Sequence, residues 1–393
     1  MDTDYFKLKN ELHQELLRVL SYWREQTIDR EYGGFFGQID FYNKVIPKAP
    51  KGIILNTRIL WSFSAASNYL KTNSFQDICE RSFEYLKEHF KDTEHKGVFW
   101  EVDYLGNPIN TRKQVYAQSF AIYALSEYYI FSKNESSKAW AIELFECLEE
   151  YSKDPNKNGY FEAFKEDWSP IDDMRLSAKD MNAAKTMNTH LHILEAYTSL
   201  LKIHESKELR AALNNLVEIM NHRILNSKYH YDLFFDKHWN LMSNTVSFGH
   251  DIEAAWLVLE AAELLNEPEL IEETKRIASQ VANTFLNKGI DIDGPVLYET
   301  NLTTNETDTD RHWWPQVEAL IGLKRAYKLE NRTEYLSSSL KIWEYTKKNL
   351  LDHEHGEWHF RVNQKGVPYI QEDKVSMWKA PYHVTRACIL INE

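Results

Sequence analysis

Turn-forming residues are scarce, with 13 glycines and 10 prolines in 393 residues. That is too few for a many-stranded sandwich or propeller, and too few for a disordered chain. Cysteine is scarcer still. Cys79, Cys147 and Cys388 are the whole set, far apart and never in a Cys-x-x-Cys pair. They read as buried thiols in a reducing compartment, and no disulfide framework is expected. Positive charge is in deficit, 46 Lys and Arg against 59 Asp and Glu, for a formal charge of −13. A nucleic-acid partner is therefore not expected, because phosphate binding needs a basic face. No apolar run approaches the roughly 18 residues a membrane span needs. The opening Met1-Asp-Thr-Asp-Tyr-Phe-Lys shows no positive segment followed by an apolar one, so a cytoplasmic location is expected. Also missing are the phosphate-cradling Gly-x-x-x-x-Gly-Lys-Ser/Thr loop, the dinucleotide Gly-x-Gly-x-x-Gly turn and the Gly-x-Ser-x-Gly elbow.

What the chain has instead is aromatic residues, 13% of the total with 12 Trp, 22 Tyr and 19 Phe, and helical periodicity. Apolar residues recur at i, i+3, i+4 and i+7 through twelve segments. They lie near 4–25, 52–70, 74–90, 114–132, 136–152, 187–204, 207–225, 250–266, 269–288, 312–330, 333–350 and 382–392. Short connections such as Lys71-Thr-Asn73, Lys133-Asn-Glu135 and Glu267-Pro268 join neighbours into helical hairpins. Long connections separate the hairpins and resemble one another: Gly33-Gly-Phe-Phe36, Gly97-Val-Phe-Trp100, Gly159-Tyr-Phe161, Tyr229-His-Tyr231, Gly294-Pro-Val296 and Gly356-Glu-Trp358. Each opens an aromatic-rich, strand-like stretch. Recurrence at roughly 60-residue intervals is an internal repeat. Six repeats of two helices predict an all-α (α/α)6 barrel, six inner helices ringed by six outer ones with short β-hairpins in the long loops. The whole chain, 1–393, is expected to form one such domain.

The helix after each long connection opens on polar residues: Asn56-Thr-Arg58, Gln114-Val-Tyr116, Asn188-Thr-His-Leu-His192, His250-Asp-Ile-Glu253, His312-Trp-Trp-Pro315 and Tyr382-His383. In a ring these ends meet around one mouth, where a ligand pocket belongs. His250, Glu253 and Trp256, spaced i, i+3, i+6, share one helix face. Glu253 is expected to orient His250 and keep it basic. His190 and His192 fall on different faces, so one of them faces the cavity. His353, His355 and His359 are ligand-type residues, but no complete metal set is visible and no metal is expected. A pair of carboxylates hydrolysing a glycosidic bond is the rival chemistry, with Asp172-Asp173, Asp291-x-Asp293 and Glu299 among the acids available. Abundant tryptophan suits sugar binding under either reading, because a pyranose face stacks on an indole.

Five stretches then become recognisable together: Gly52-Ile-Ile-Leu-Asn-Thr-Arg-Ile-Leu-Trp61, Met187-Asn-Thr-His-Leu-His192, Gly249-His-Asp-Ile-Glu-Ala-Ala-Trp256, Trp313-Trp-Pro-Gln-Val-Glu318 and Trp378-Lys-Ala-Pro-Tyr-His-Val-Thr-Arg-Ala-Cys388. In this order they resemble the N-acylglucosamine 2-epimerase superfamily, and within it the cellobiose 2-epimerase branch. The resemblance implies the same barrel and a reaction at C2 of a reducing-end sugar that uses no cofactor. By motif, His250 and His383 resemble the two acid/base histidines, Arg58 the arginine near the reacting oxygens, and His192 a third essential histidine. Tyr116, Asn188 and Glu253 match polar positions of the pocket, and Trp313 and Trp378 match sugar-stacking tryptophans. Trp256, Trp314 and Glu318 are expected at or just behind its wall. The implied substrates are cellobiose, lactose and related β-1,4 disaccharides. A monosaccharide epimerase or aldose–ketose isomerase is the sister alternative. A monomer is expected.

Overall fold

The computed structural model describes residues 2–393, so Met1, the first residue of the expected domain, lies outside the described residues. All twelve expected helices form. They are α1 (Asp2–Gln26), α2 (Ile53–Leu70), α3 (Gln76–Tyr85), α4 (Val115–Ser132), α5 (Glu135–Cys147) and α6 (Met187–Leu201). The second half contributes α7 (Lys207–Ile219), α8 (Phe248–Leu265), α9 (Pro268–Lys288), α10 (Trp313–Glu330), α11 (Thr333–Asn349) and α12 (Tyr382–Asn392). The even-numbered helices are buried nearly all round. On α4, for instance, every residue from Val115 to Ser126 is buried. A helix of that kind has to be surrounded by other helices. The odd-numbered ones bury a single stripe, as α7 does with Leu209, Ala212, Leu213, Leu216 and Val217. Each even helix packs on the next, and α12 returns to α2, closing the ring, while α1 covers α12 and α11 from outside. The result is the (α/α)6 barrel. No described helix is long and apolar enough to cross a membrane.

Three outer helices end differently from the expectation. After α3, α5 and α7 the helix widens into a single π turn, at Leu86–Phe90, Leu148–Ser152 and Met220–Ile224. Apolar periodicity cannot separate such a turn from an ordinary one, so these stretches read as continuous helix. The chain then leaves in extended conformation at Lys91, Lys153 and Leu225, and each of these residues bridges to the aromatic stretch that follows.

The long loops hold the inner helices by their N-termini. Lys51–Gly52, Lys113–Gln114, Lys185–Thr186, Thr245–Ser247 and Arg311–His312 each precede an inner helix. They pair antiparallel with Glu101–Val102, Ala163–Phe164, Phe234–Phe235, Glu299–Asn301 and Arg361–Val362 respectively. In the sixth repeat the bridge between Val375 and Ile39 does the same. A buried ion pair recurs at these entrances. Asp29 holds Lys51 at 2.8 Å, Asp92 holds Lys113 at 2.5 Å, and Asp154 holds Lys185 at 2.7 Å. Asp352 with Lys374, and Arg311 with a partly exposed Asp291, complete five of the six. In four of them, at Asp29, Asp92, Asp154 and Asp352, the same carboxylate also accepts from the backbone N–H groups two and three residues further on. The fourth repeat has Asn226 and Val246 in these places.

Candidate active site

The mouth of the barrel is lined from the first turns of the inner helices, as the polar openings predict. Arg58 of α2 donates through Nη2 to the Tyr116 hydroxyl of α4 at 2.9 Å, and through Nη1 to the Trp378 carbonyl at 3.1 Å. Tyr116 stands edge-on to His192 of α6, ring centroids 4.9 Å apart. Trp378, half-buried on the strap before α12, packs its indole between Trp100 and Tyr116. On the other side Trp314 separates His250 from His383, at 4.8 and 5.6 Å. Trp313 closes that wall against His383 and Phe360. His190 turns away from the mouth. Its Nε2 accepts from the Tyr160 amide at 3.0 Å and it is fully buried, so His192 is the histidine of that pair that faces the site.

Beneath the mouth lies a charged hub that the sequence does not reveal. Arg386 of α12 is 1% exposed and reaches Glu195 of α6, Glu253 of α8 and Glu318 of α10. The carboxylates pass the contact upward. Glu318 accepts from His383 Nδ1 at 2.7 Å, and Glu195 accepts from His192 Nδ1 at 2.8 Å. Both histidines thus carry hydrogen on Nδ1 and leave Nε2 free. Burial raises the Glu253 carboxyl to about 7, helped by Glu318 and opposed by Arg386. Glu318 is also raised by burial. At Glu195 burial pushes the same way, but Arg386 and His192 outweigh it and the net shift is downward. The missed signal was a repeated one. Glu195, Glu253 and Arg386 each stand three residues after a site histidine, one helical turn deeper.

Two expectations are corrected here. Glu253 does not orient His250. It is taken by Arg386 and lies 3.9 Å from His383 Nδ1, whereas His250 Nδ1 meets Ser247 Oγ at 2.9 Å. A buried guanidinium outcompetes a neutral imidazole for a carboxylate. Trp256 does not reach the mouth. Six residues past His250 it lies about 9 Å deeper along α8, 4% exposed, with Nε1 donating to Glu318 and its ring against Arg386. Both proposed bases are shifted downward. Burial, with a contribution from His192, pushes His250 down to about 3. Burial, then Arg58 and Arg386, push His383 well below the ordinary range. Both shifts favour the neutral imidazole, the form a base requires.

Three buried polar atoms of the expected site residues have no partner: Arg58 Nε, Asn188 Oδ1 and Trp313 Nε1. Buried polar groups left unpaired cost roughly 1–3 kcal/mol each, so the mouth is suited to a ligand rich in hydroxyls. Glu253, Glu318 and His383 bring possible metal-ligand atoms within 4.8 Å of one another. The Arg386 guanidinium already binds both carboxylates, so a metal ion there would have to displace it. His353, His355 and His359 do not gather. His353 bonds the Lys347 carbonyl, His355 faces Asp352, and His359 stacks on Phe41. The hub carboxylates Glu195, Glu253 and Glu318 are all held by Arg386, so none of these three stands free as the acid or nucleophile that hydrolysis needs.

Residues 34–387 match the profile of the N-acylglucosamine 2-epimerase (GlcNAc 2-epimerase) family. The chain belongs to that family. Among its N-acylglucosamine 2-epimerase relatives, the cellobiose 2-epimerase of Bacteroides fragilis is 42% identical over 97% of this chain and 98% of its own length. That of Dictyoglomus turgidum is 36% identical over 97% of both chains. The solved structure of cellobiose 2-epimerase from Bacillus thermoamylovorans superposes with a TM-score of 0.94, at 34% identity and 99% coverage of both chains. A family 76 glycoside hydrolase from Bacteroides thetaiotaomicron superposes with a TM-score of 0.67 at 10% identity, a likeness of fold alone.

Proposed function

We propose that the protein, as a single catalytic barrel spanning 1–393, epimerises C2 of the reducing-end glucose of β-1,4-linked disaccharides. Cellobiose would become glucosyl-mannose, and lactose would become epilactose. The observation that carries this reading is the pair His250 and His383, on either side of Trp314, each with Nδ1 engaged by a protein partner and Nε2 free. Inversion at C2 needs a base on one face of the carbon and an acid on the other. In the opened sugar, one histidine takes the C2 proton, the C1–C2 double bond forms, and the carbonyl electrons move onto O1. Arg58, whose Nε–H lacks a partner, stabilises that oxyanion in the cis-enediolate. The second histidine, carrying a proton on Nε2 at that point of the cycle, then delivers it to the opposite face of C2 and the carbonyl returns, so the two histidines exchange protonation states in each turnover. Electrons stay within the sugar throughout, so neither a redox cofactor nor a metal is part of the scheme. His192, held by Glu195 and packed on Tyr116, supports ring opening or binding from the Arg58 side.

The relatives that act on cellobiose support the disaccharide, and Trp378 supplies a surface for its second ring. Incubation with cellobiose and separation of the products tests the proposal. A disaccharide containing mannose supports it. Released glucose would indicate hydrolysis, and a keto-disaccharide as the main product would indicate isomerisation to the ketose.

A further inference from the structure

The two proposed bases are held by partners of different kinds. His383 Nδ1 faces a carboxylate, Glu318, which is itself fixed by Arg386. His250 Nδ1 faces only a hydroxyl, Ser247 Oγ, at 2.9 Å. Ser247 is fully buried at the end of the strand Thr245–Ser247, one residue before α8 begins. That strand is the outer member of a three-stranded sheet and pairs in register with Glu299–Asn301, so the hydroxyl is carried on backbone that cannot easily shift. The rest of the His250 surroundings offers no other holder for Nδ1. Glu253 is committed to Arg386, and Trp314 meets the ring at a tilt of 55°, centroids 4.8 Å apart.

We infer that Ser247 is the positioning residue of His250: its hydroxyl, bonded to Nδ1, fixes the ring with Nε2 toward the site, and it accepts from Nδ1–H whenever Nε2 acts as the base. The inference rests on the two-base reading above. Its consequence is asymmetric. In a two-base epimerase each epimer loses its C2 proton to its own histidine, so loosening His250 should slow proton removal from one epimer far more than from the other. A residue that only held the barrel together would slow both alike.

The experiment compares Ser247→Thr, which keeps a hydroxyl, with Ser247→Val, which has nearly the same shape without one. For each protein, wash-in of solvent deuterium at C2 is followed by NMR. The measurement starts from cellobiose and, separately, from glucosyl-mannose, with melting temperature recorded in parallel. For Ser247→Val we expect exchange from one epimer to fall on the order of tenfold to a hundredfold, the scale of lost support to a functional histidine. Exchange from the other epimer should fall at most a few-fold, and KM should change little. Ser247→Thr should restore the faster exchange to within a few-fold of the natural protein. Equal losses from both epimers, or a Thr variant as slow as the Val variant at unchanged melting temperature, would overturn the assignment. Failure of the unmodified protein to exchange or interconvert either sugar would instead remove the proposed function itself.

Discussion

Five of the six repeats enter the barrel on the same ion pair, and the fourth does not. Its aspartate position is Asn226 and its lysine position is Val246, so both charges have gone together. The fourth repeat buries a different pair, His230 with Asp251 at 2.6 Å. The third repeat places a histidine beside the usual arrangement. His190, on the first turn of α6, is pushed down to about 4 by burial and further by Lys185 of its own ion pair. It ends as a structural acceptor for a backbone amide. On the first turn of α8 the matching cation is absent, and the histidine there, His250, is one of the two proposed bases. The other, His383, follows Lys374 by nine residues, against seven from Lys51 to Arg58 and from Lys185 to His192, because the strap 375–381 intervenes. The regular repeats build the frame, and the two irregular ones carry the proposed proton chemistry.

That contrast can be broken. His250→Ala and His383→Ala should each reduce cellobiose epimerisation by about a thousandfold or more, with melting temperature changed by only a few degrees. His190→Ala, on a regular repeat, should do the reverse and lower the melting temperature while turnover persists. A dead but fully stable His190 variant would dissolve the distinction. The next largest effect is on stability. Lys113→Met leaves Asp92 buried without its cation and should cost about 3–5 kcal/mol in denaturant titrations. Val246→Met, at the matching place in the fourth repeat, strands no charge and should cost only the overpacking, about 1–3 kcal/mol.

Smaller effects sharpen the picture. Trp378 belongs to the strap that makes the sixth repeat irregular. If its indole stacks on the second sugar ring, Trp378→Ala should lower kcat/KM for cellobiose roughly tenfold, and change any turnover of free glucose or mannose far less. Equal loss on both sugars together with a lower melting temperature would make the strap a plug. The smallest effect concerns pH. His190 sits below its unfolded value, so its neutral form stabilises the fold above about pH 6.5. That contribution is lost as pH falls toward about 4. The advantage of the natural protein over His190→Gln should therefore be a few degrees at pH 7–8. It should shrink steadily from pH 6.5 to 4 in thermal melts.

The helices and the mouth were legible because they rest on local signals. Periodicity marks α1 to α12, and the polar openings mark where Arg58, His192, His250 and His383 emerge. The hub was not legible, since Arg386 meets carboxylates 68, 133 and 191 residues away. Which of those three glutamates a guanidinium captures depends on how the ring closes. The expectation that Glu253 holds His250 failed for that reason: i, i+3 spacing gives a shared face, but the deeper charge decided which way the carboxylate turned. The π turns escaped because a widened turn keeps the same apolar stripe. The ion pairs at the entrances left a trace that could have been read, a lysine or arginine two residues before α2, α4, α6 and α10.

Closure of the ring by α12 has a consequence for the order of events during synthesis. The inner helices are buried on nearly every side, and α2 obtains its last neighbour only when residues 382–392 have been made. At ordinary ribosomal speeds the wait between the two is on the order of 20 seconds to a minute. Throughout it the growing chain presents an open crescent with one unsealed seam. His383 and Arg386 arrive on the helix that closes that seam. Catalytic competence and burial of the seam are therefore one event, and an emerging chain has no interval in which it is active yet incompletely folded.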